Sequence, residues 1–157
     1  MMSTKNEELA EQRDKESRMC NIIIHGKEEN ENQQDDDLFV KSFMQTVSES
    51  VTPKSFTRIG RQENCKRPIK VTLKNAKDKE EIMINLKNLK GKDSFKGISI
   101  TDDYTVSERE MIRDFTRKAK ERNLAESENS NFVWRVRGTP KNGLVLKRFM
   151  KVKQNAT

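Results

Sequence analysis

The feature that most narrows the fold is a change of hydrophobic period, repeated in order between residues 21 and 101. Asn21-Ile22-Ile23-Ile24-His25-Gly26 is a short β-branched run closed by glycine, the pattern of a buried strand. Phe39, Val40, Phe43 and Val47 then fall on one helical face and predict a helix over about 37–50, ended by Pro53. The period returns to two at Phe56 to Arg61 and again at Arg67 to Leu73. In the latter, Ile69, Val71 and Leu73 alternate with Pro68, Lys70 and Thr72. Asn75 to Asp78 opens a second helix carrying Ile82, Leu86 and Leu89, with Gly91 as its C-cap. Gly97 to Thr101 alternates once more as a short strand.

Strand, helix, strand, strand, helix, strand is the order of a split βαβ, or ferredoxin-like, domain, here over 20–102. Such a domain has a four-stranded antiparallel sheet with both helices on one face. RNA-recognition-motif domains use the other, free face. A second unit follows over 103–150. Thr105-Val106-Ser107-Glu108 is a capping box opening a helix to about Arg122, with Met111, Ile112, Phe115 and Ala119 apolar. Arg109, Arg113, Arg117 and Lys120 form a cationic stripe beside that face. Phe132 to Arg137 and Leu144 to Phe149 predict a hairpin with Phe132, Trp134 and Val136 on one face and Arg135 and Arg137 on the other. The predicted fold class is α+β: an RNA-recognition-motif-like βαββαβ domain followed by a small α+β C-terminal domain. Residues 1–19 read as a polar helical or disordered segment, 62–66 as a loop, and 151–157 as a basic, mobile tail.

Charge is unevenly placed along the 157 residues, whose formal net charge is +7. Residues 20–53 carry two basic and seven acidic side chains, 54–101 carry 13 basic and five acidic, and 132–157 carry seven basic and none acidic. Separate basic blocks favour a polyanionic partner, nucleic acid being the commonest. Arg and Lys attract phosphate and release counterions, giving affinity that reads little sequence. The candidate contacts are Arg58, Arg61, Arg67 and Lys70 in the first domain. In the second they are Arg113, Arg117, Arg135, Arg137, Lys141 and Lys147. Were the two units to face each other, these residues would line one cleft suited to a single strand. The competing reading makes the basic faces a surface for an acidic protein partner, or merely solvated.

Catalysis has little to stand on. The chain has one His, two isolated Cys (Cys20 and Cys65), and no nucleophile elbow, phosphate-binding loop or zinc-protease motif. Asp35, Asp36 and Asp37 read as capping and first-turn charges rather than a metal site. Asp102 and Asp103 read as strand-end and pre-helix residues, and His25 as a sheet-surface residue. No cofactor and no enzymatic activity are expected. The cysteine spacing excludes a zinc finger and a disulfide framework. No apolar run reaches membrane-spanning length and the start has no signal-peptide core, so an intracellular protein is expected.

Taken in order, the landmarks resemble the first-open-reading-frame protein of LINE-type, non-LTR retrotransposons. The resemblance rests on Arg18, Asn21 to Gly26 and Glu28; Arg58-Ile59-Gly60-Arg61; Arg67-Pro68-Ile69-Lys70-Val71; and Lys79-Glu80-Glu81-Ile82. It continues through Ile98-Ser99-Ile100, Asp102 to Thr105 with Arg109, and Trp134-Arg135-Val136-Arg137-Gly138. It spans about residues 18–150. It implies a trimerising N-terminal coiled coil, a non-typical RNA-recognition-motif domain, and a C-terminal domain that closes with it on single-stranded RNA or DNA. It also implies packaging of the element's own transcript and nucleic-acid chaperone activity; the expected setting is a cytoplasmic ribonucleoprotein, with the nucleus as a second location left open. Two departures stand out. Residues 1–19 hold no sustained heptad, and a homotrimer would depend on one. Ile23, His25, Pro68 and Lys70 occupy outer-face positions where the motif usually carries stacking aromatics, which favours backbone contact over base reading.

Overall fold

A computed structural model describes residues 2–61 and 66–152. The protein is a mixed α+β chain that divides into two units between Asp103 and Tyr104. The first unit contains α1 (Met2–Arg18), β1 (Asn21–His25), α2 (Gln33–Val47), β2 (Ser55–Arg58), β3 (Ile69–Thr72), α3 (Ala76–Ile84) and β4 (Ser99–Asp102). Its strands form one four-stranded antiparallel sheet in the order β2-β3-β1-β4. The second unit contains α4 (Val106–Ala125) and a hairpin of β5 (Phe132–Thr139) and β6 (Gly143–Met150).

Period-two alternation puts Ile22, Ile24, Ile69 and Val71 on one side of the sheet, where they pack with Val40, Phe43, Met44 and Val47 of α2 and Ile82 of α3. Side chains such as Ile22, Ile69 and Phe43 are fully buried, each contributing about 1.5–3 kcal/mol relative to an exposed position. Phe95 completes this core, its ring centroid 5.8 Å from Phe39 and 6.4 Å from Phe43. Ser48 caps the end of α2 and donates its hydroxyl to Glu81 Oε1 at 3.0 Å, tying α2 to α3.

The boundaries depart from the sequence expectation where a local polar group wins. α2 starts at Gln33 because Asn32 is its N-cap, its side chain accepting from Gln34 N; the aspartates expected there lie within the first turns instead. β2 ends at Arg58 because Gly60, at φ 95°, turns the chain away. Leu86 and Leu89, expected on α3, lie on a following 3-10 stretch, Asn85–Leu89. Both halves of the expected capping box are present at α4: Thr105 accepts from Glu108 N, and Glu108 accepts from Thr105 N. The expected loop at 62–66 falls largely outside the described residues, as does most of the basic tail.

In the second unit Asn123 works like an extra strand residue. Its Nδ2 donates to Trp134 O at 3.0 Å while its Oδ1 accepts from Trp134 N at 2.7 Å. Glu126, just past α4, accepts from Trp134 Nε1, from Arg148 Nε, both at 3.1 Å, and from Ser130 Oγ at 2.9 Å. Arg122 lies 4.4 Å from the Trp134 ring centroid. These contacts seat α4 against the hairpin face bearing Phe132, Trp134 and Val136.

Candidate nucleic-acid interface

Register decides which of the basic residues reach the surface. On β2 and β3, Thr57 stands opposite Lys70 and Arg58 opposite Ile69. Thr57 and Lys70 therefore share the outer face, whereas Arg58 shares the inner parity of Ile69 and points away from the expected cationic wall. The Arg58 side chain is only 7% exposed. It grips both oxygens of Asp36, at 2.8 and 2.6 Å, and donates to the carbonyls of Lys27, Glu28 and Arg67. Its role is to lock the β1–α2 connection onto the sheet.

Arg67 is also committed. It makes a forked pair with Glu29 and donates to Gly60 O at 3.1 Å. That pairing holds the Glu29 carboxyl below its ordinary value, chiefly through the hydrogen bond from Arg67. Lys66 lies 3.8 Å from Glu28, and Lys27 lies 3.0 Å from Asp35. The acidic connection seen in the sequence thus neutralises most of the β2–β3 basic cluster from within. Arg61 is exposed with no ion pair among the described residues, and Lys70 sits half-buried between Ile23 and Thr57.

The outer sheet face is otherwise weakly charged. Ser55, Thr57, Thr72, Ser99 and Thr101 supply hydroxyls, and His25 Nε2 lies 3.0 Å from Thr101 Oγ1. Burial pushes the His25 pKa down, favouring the neutral ring. Ile23, in place of an aromatic, is 5% exposed. Asp103 accepts from Arg18 Nη1 at 2.7 Å and Asn21 Nδ2 at 2.9 Å, and Asp102 pairs with Lys79, so both carboxylates are spent on structure. Among the described residues no group of three His, Cys, Asp or Glu could hold a metal ion, and no helix is long and apolar enough to cross a membrane.

The open side of the hairpin differs. Arg135 stands opposite Lys147, Arg137 opposite Val145, and Val133 opposite Phe149, all on the side away from Trp134 and Glu126. Arg135, Arg137 and Lys147 are exposed, and none has an ion pair among the described residues. The Arg137 guanidinium stacks 4.7 Å from the Phe149 ring centroid. Lys141 is exposed in the connecting turn, and Arg113 is exposed on α4. Arg117, also on α4, is held by Asp114 at 2.5 Å and Glu121 at 3.0 Å. Phe149 was not singled out by sequence reasoning. The signal was available in the parity it shares with Lys147 and Val145, once the turn length sets which strand residues oppose.

No protein-family model matches this sequence, and comparison with curated proteins gives no match either.

Proposed function

We propose that this protein binds single-stranded RNA and DNA with little sequence preference, without enzymatic activity, as the RNA-packaging protein of a LINE-type retrotransposon. The first unit reads best as an RNA-recognition-motif-like βαββαβ domain, a reading supported by its sheet order β2-β3-β1-β4. The observation that carries the function is the open hairpin face, where Arg135, Arg137 and Lys147 accompany Phe149 and, among the described residues, no carboxylate pairs with them. Cations alone would suit any polyanion. A ring among them adds a stacking surface for an unpaired base, which a duplex or an acidic protein does not exploit. Arg61 and Lys70 extend the phosphate contacts in the first unit; Arg58 and Arg67 serve the fold. Packaging of the transcript, chaperone activity and a ribonucleoprotein setting follow from the same reading.

The test is fluorescence anisotropy with labelled oligouridylate across a salt series. Each lost phosphate contact reduces the slope of log affinity against log salt by about 0.7. Combining Arg135→Glu, Arg137→Glu and Lys147→Glu should therefore flatten it by about 2, while Phe149→Ala should cost about 1–3 kcal/mol of affinity at any salt. Trp134 fluorescence reports whether the hairpin is still seated on α4. Unchanged slope and affinity in a folded variant refute the reading.

A further inference from the structure

A second basic region contrasts with the first. Lys87, Lys90, Lys92 and Lys96 are exposed, and none is ion-paired among the described residues, whereas Arg58, Lys66 and Arg67 of the β2–β3 cluster are paired with the acidic connection before and within α2. Lys90, Lys92 and Lys96, with one carboxylate, Asp93, among them, rim a groove of about 460 Å³ floored by Leu86, Leu89, Phe95, Ile98 and Ile100. Ile98 and Ile100 lead into and belong to β4, the last strand of the sheet, and among the described residues nothing pairs with its outer edge. An apolar floor, a rim of three lysines to one aspartate and, among the described residues, an unpaired strand edge thus coincide.

We propose that this edge docks an extended acidic peptide of a partner protein by strand addition. The backbone of the incoming segment would extend the β4 ladder; its alternate side chains would fall into the groove, and the intervening carboxylates would meet the lysines. A nucleic-acid strand fits less well. The Phe95 ring is spent on Phe39 and Phe43, the rest of the floor is aliphatic, and a strand edge offers nothing that a phosphate backbone matches. The same lysines disfavour pairing of two copies of this edge, which would bring like charges together. The acidic strand is what remains admitted. This site is independent of the open hairpin face and stands or falls separately from it.

The experiment uses the whole protein and three labelled probes: a ten-residue peptide alternating glutamate and valine, its lysine-for-glutamate counterpart, and oligouridylate. The glutamate peptide should bind and the lysine peptide should not. Lys90→Glu, Lys92→Glu and Lys96→Glu together should weaken the glutamate peptide by roughly tenfold while leaving oligouridylate within about twofold. N-methylation of alternate peptide amides should abolish binding in one phase of alternation and spare it in the other, because only one set faces the strand edge. The proposal is overturned by no binding of the glutamate peptide, by equal binding to the triple variant, or by indifference to N-methylation. Loss of oligouridylate alone in the triple variant also overturns it and makes the groove a nucleic-acid contact.

Discussion

Replacing Arg58 with methionine keeps most of the apolar stem and removes the guanidinium that joins Asp36 to the carbonyls of Lys27, Glu28 and Arg67. Asp36 would be left as a carboxylate in a site where its side chain is 12% exposed. Removing one partner of a buried pair costs about 3–5 kcal/mol, and the residual exposure of Asp36 places this one near 3 kcal/mol. For a unit of this size that is a fall of roughly 12–24 °C in melting temperature. Asp36→Leu alone should cost about 2 kcal/mol, because Arg58 would retain its three carbonyl partners. The double variant should cost no more than Arg58→Met, a coupling of about 2 kcal/mol. Urea unfolding followed by far-ultraviolet circular dichroism reads the loss, and Trp134, the chain's one tryptophan, separately reports the second unit. A cost below about 1 kcal/mol, or additive single effects, refutes the buried bridge. Weakened oligouridylate binding at unchanged stability would instead return Arg58 to the ligand surface.

Two further outcomes follow from local geometry. A Cβ on Gly26 would lie 2.2 Å from Gly97 O at a φ of 98°, whereas one on Gly60, at φ 95°, meets nothing within 4 Å. Gly26→Ala should therefore cost about 3 kcal/mol and Gly60→Ala about 1 kcal/mol by denaturant midpoint, and equal costs would refute the close approach. His25, the single histidine, titrates near pH 6.5 when unfolded and lower when folded because burial disfavours its charge. Below about pH 6.5 the unfolded chain takes up a proton that the folded chain refuses, so stability is full above that value and declines as the pH falls through the lowered folded-state value. His25→Gln should abolish that part of the decline in melting temperature; an unchanged profile would assign it elsewhere.

Periodicity determined much of this protein without help. The isoleucine run, the alternation at Ile69, Val71 and Leu73 and the helical spacing of Phe39, Val40, Phe43 and Val47 mark the buried strand and helix faces, because burial needs a continuous apolar face and each backbone geometry admits one period. The Thr105-Glu108 box was likewise legible, being a contact between residues three apart. The fate of the basic residues was not. Arg58 and Arg67 look in sequence like neighbours of Lys70 on one cationic wall, yet Arg58 has the parity of Ile69, and both meet carboxylates 22 and 38 residues away. Only the tertiary structure brings the acidic loop back across the sheet to neutralise them, and only strand pairing sets Phe149 beside Arg137 on the hairpin. A side chain's charge is local to the sequence. Whether that charge faces solvent or a partner carboxylate depends on which distant segment folds against it, and residue spacing along the chain does not encode that.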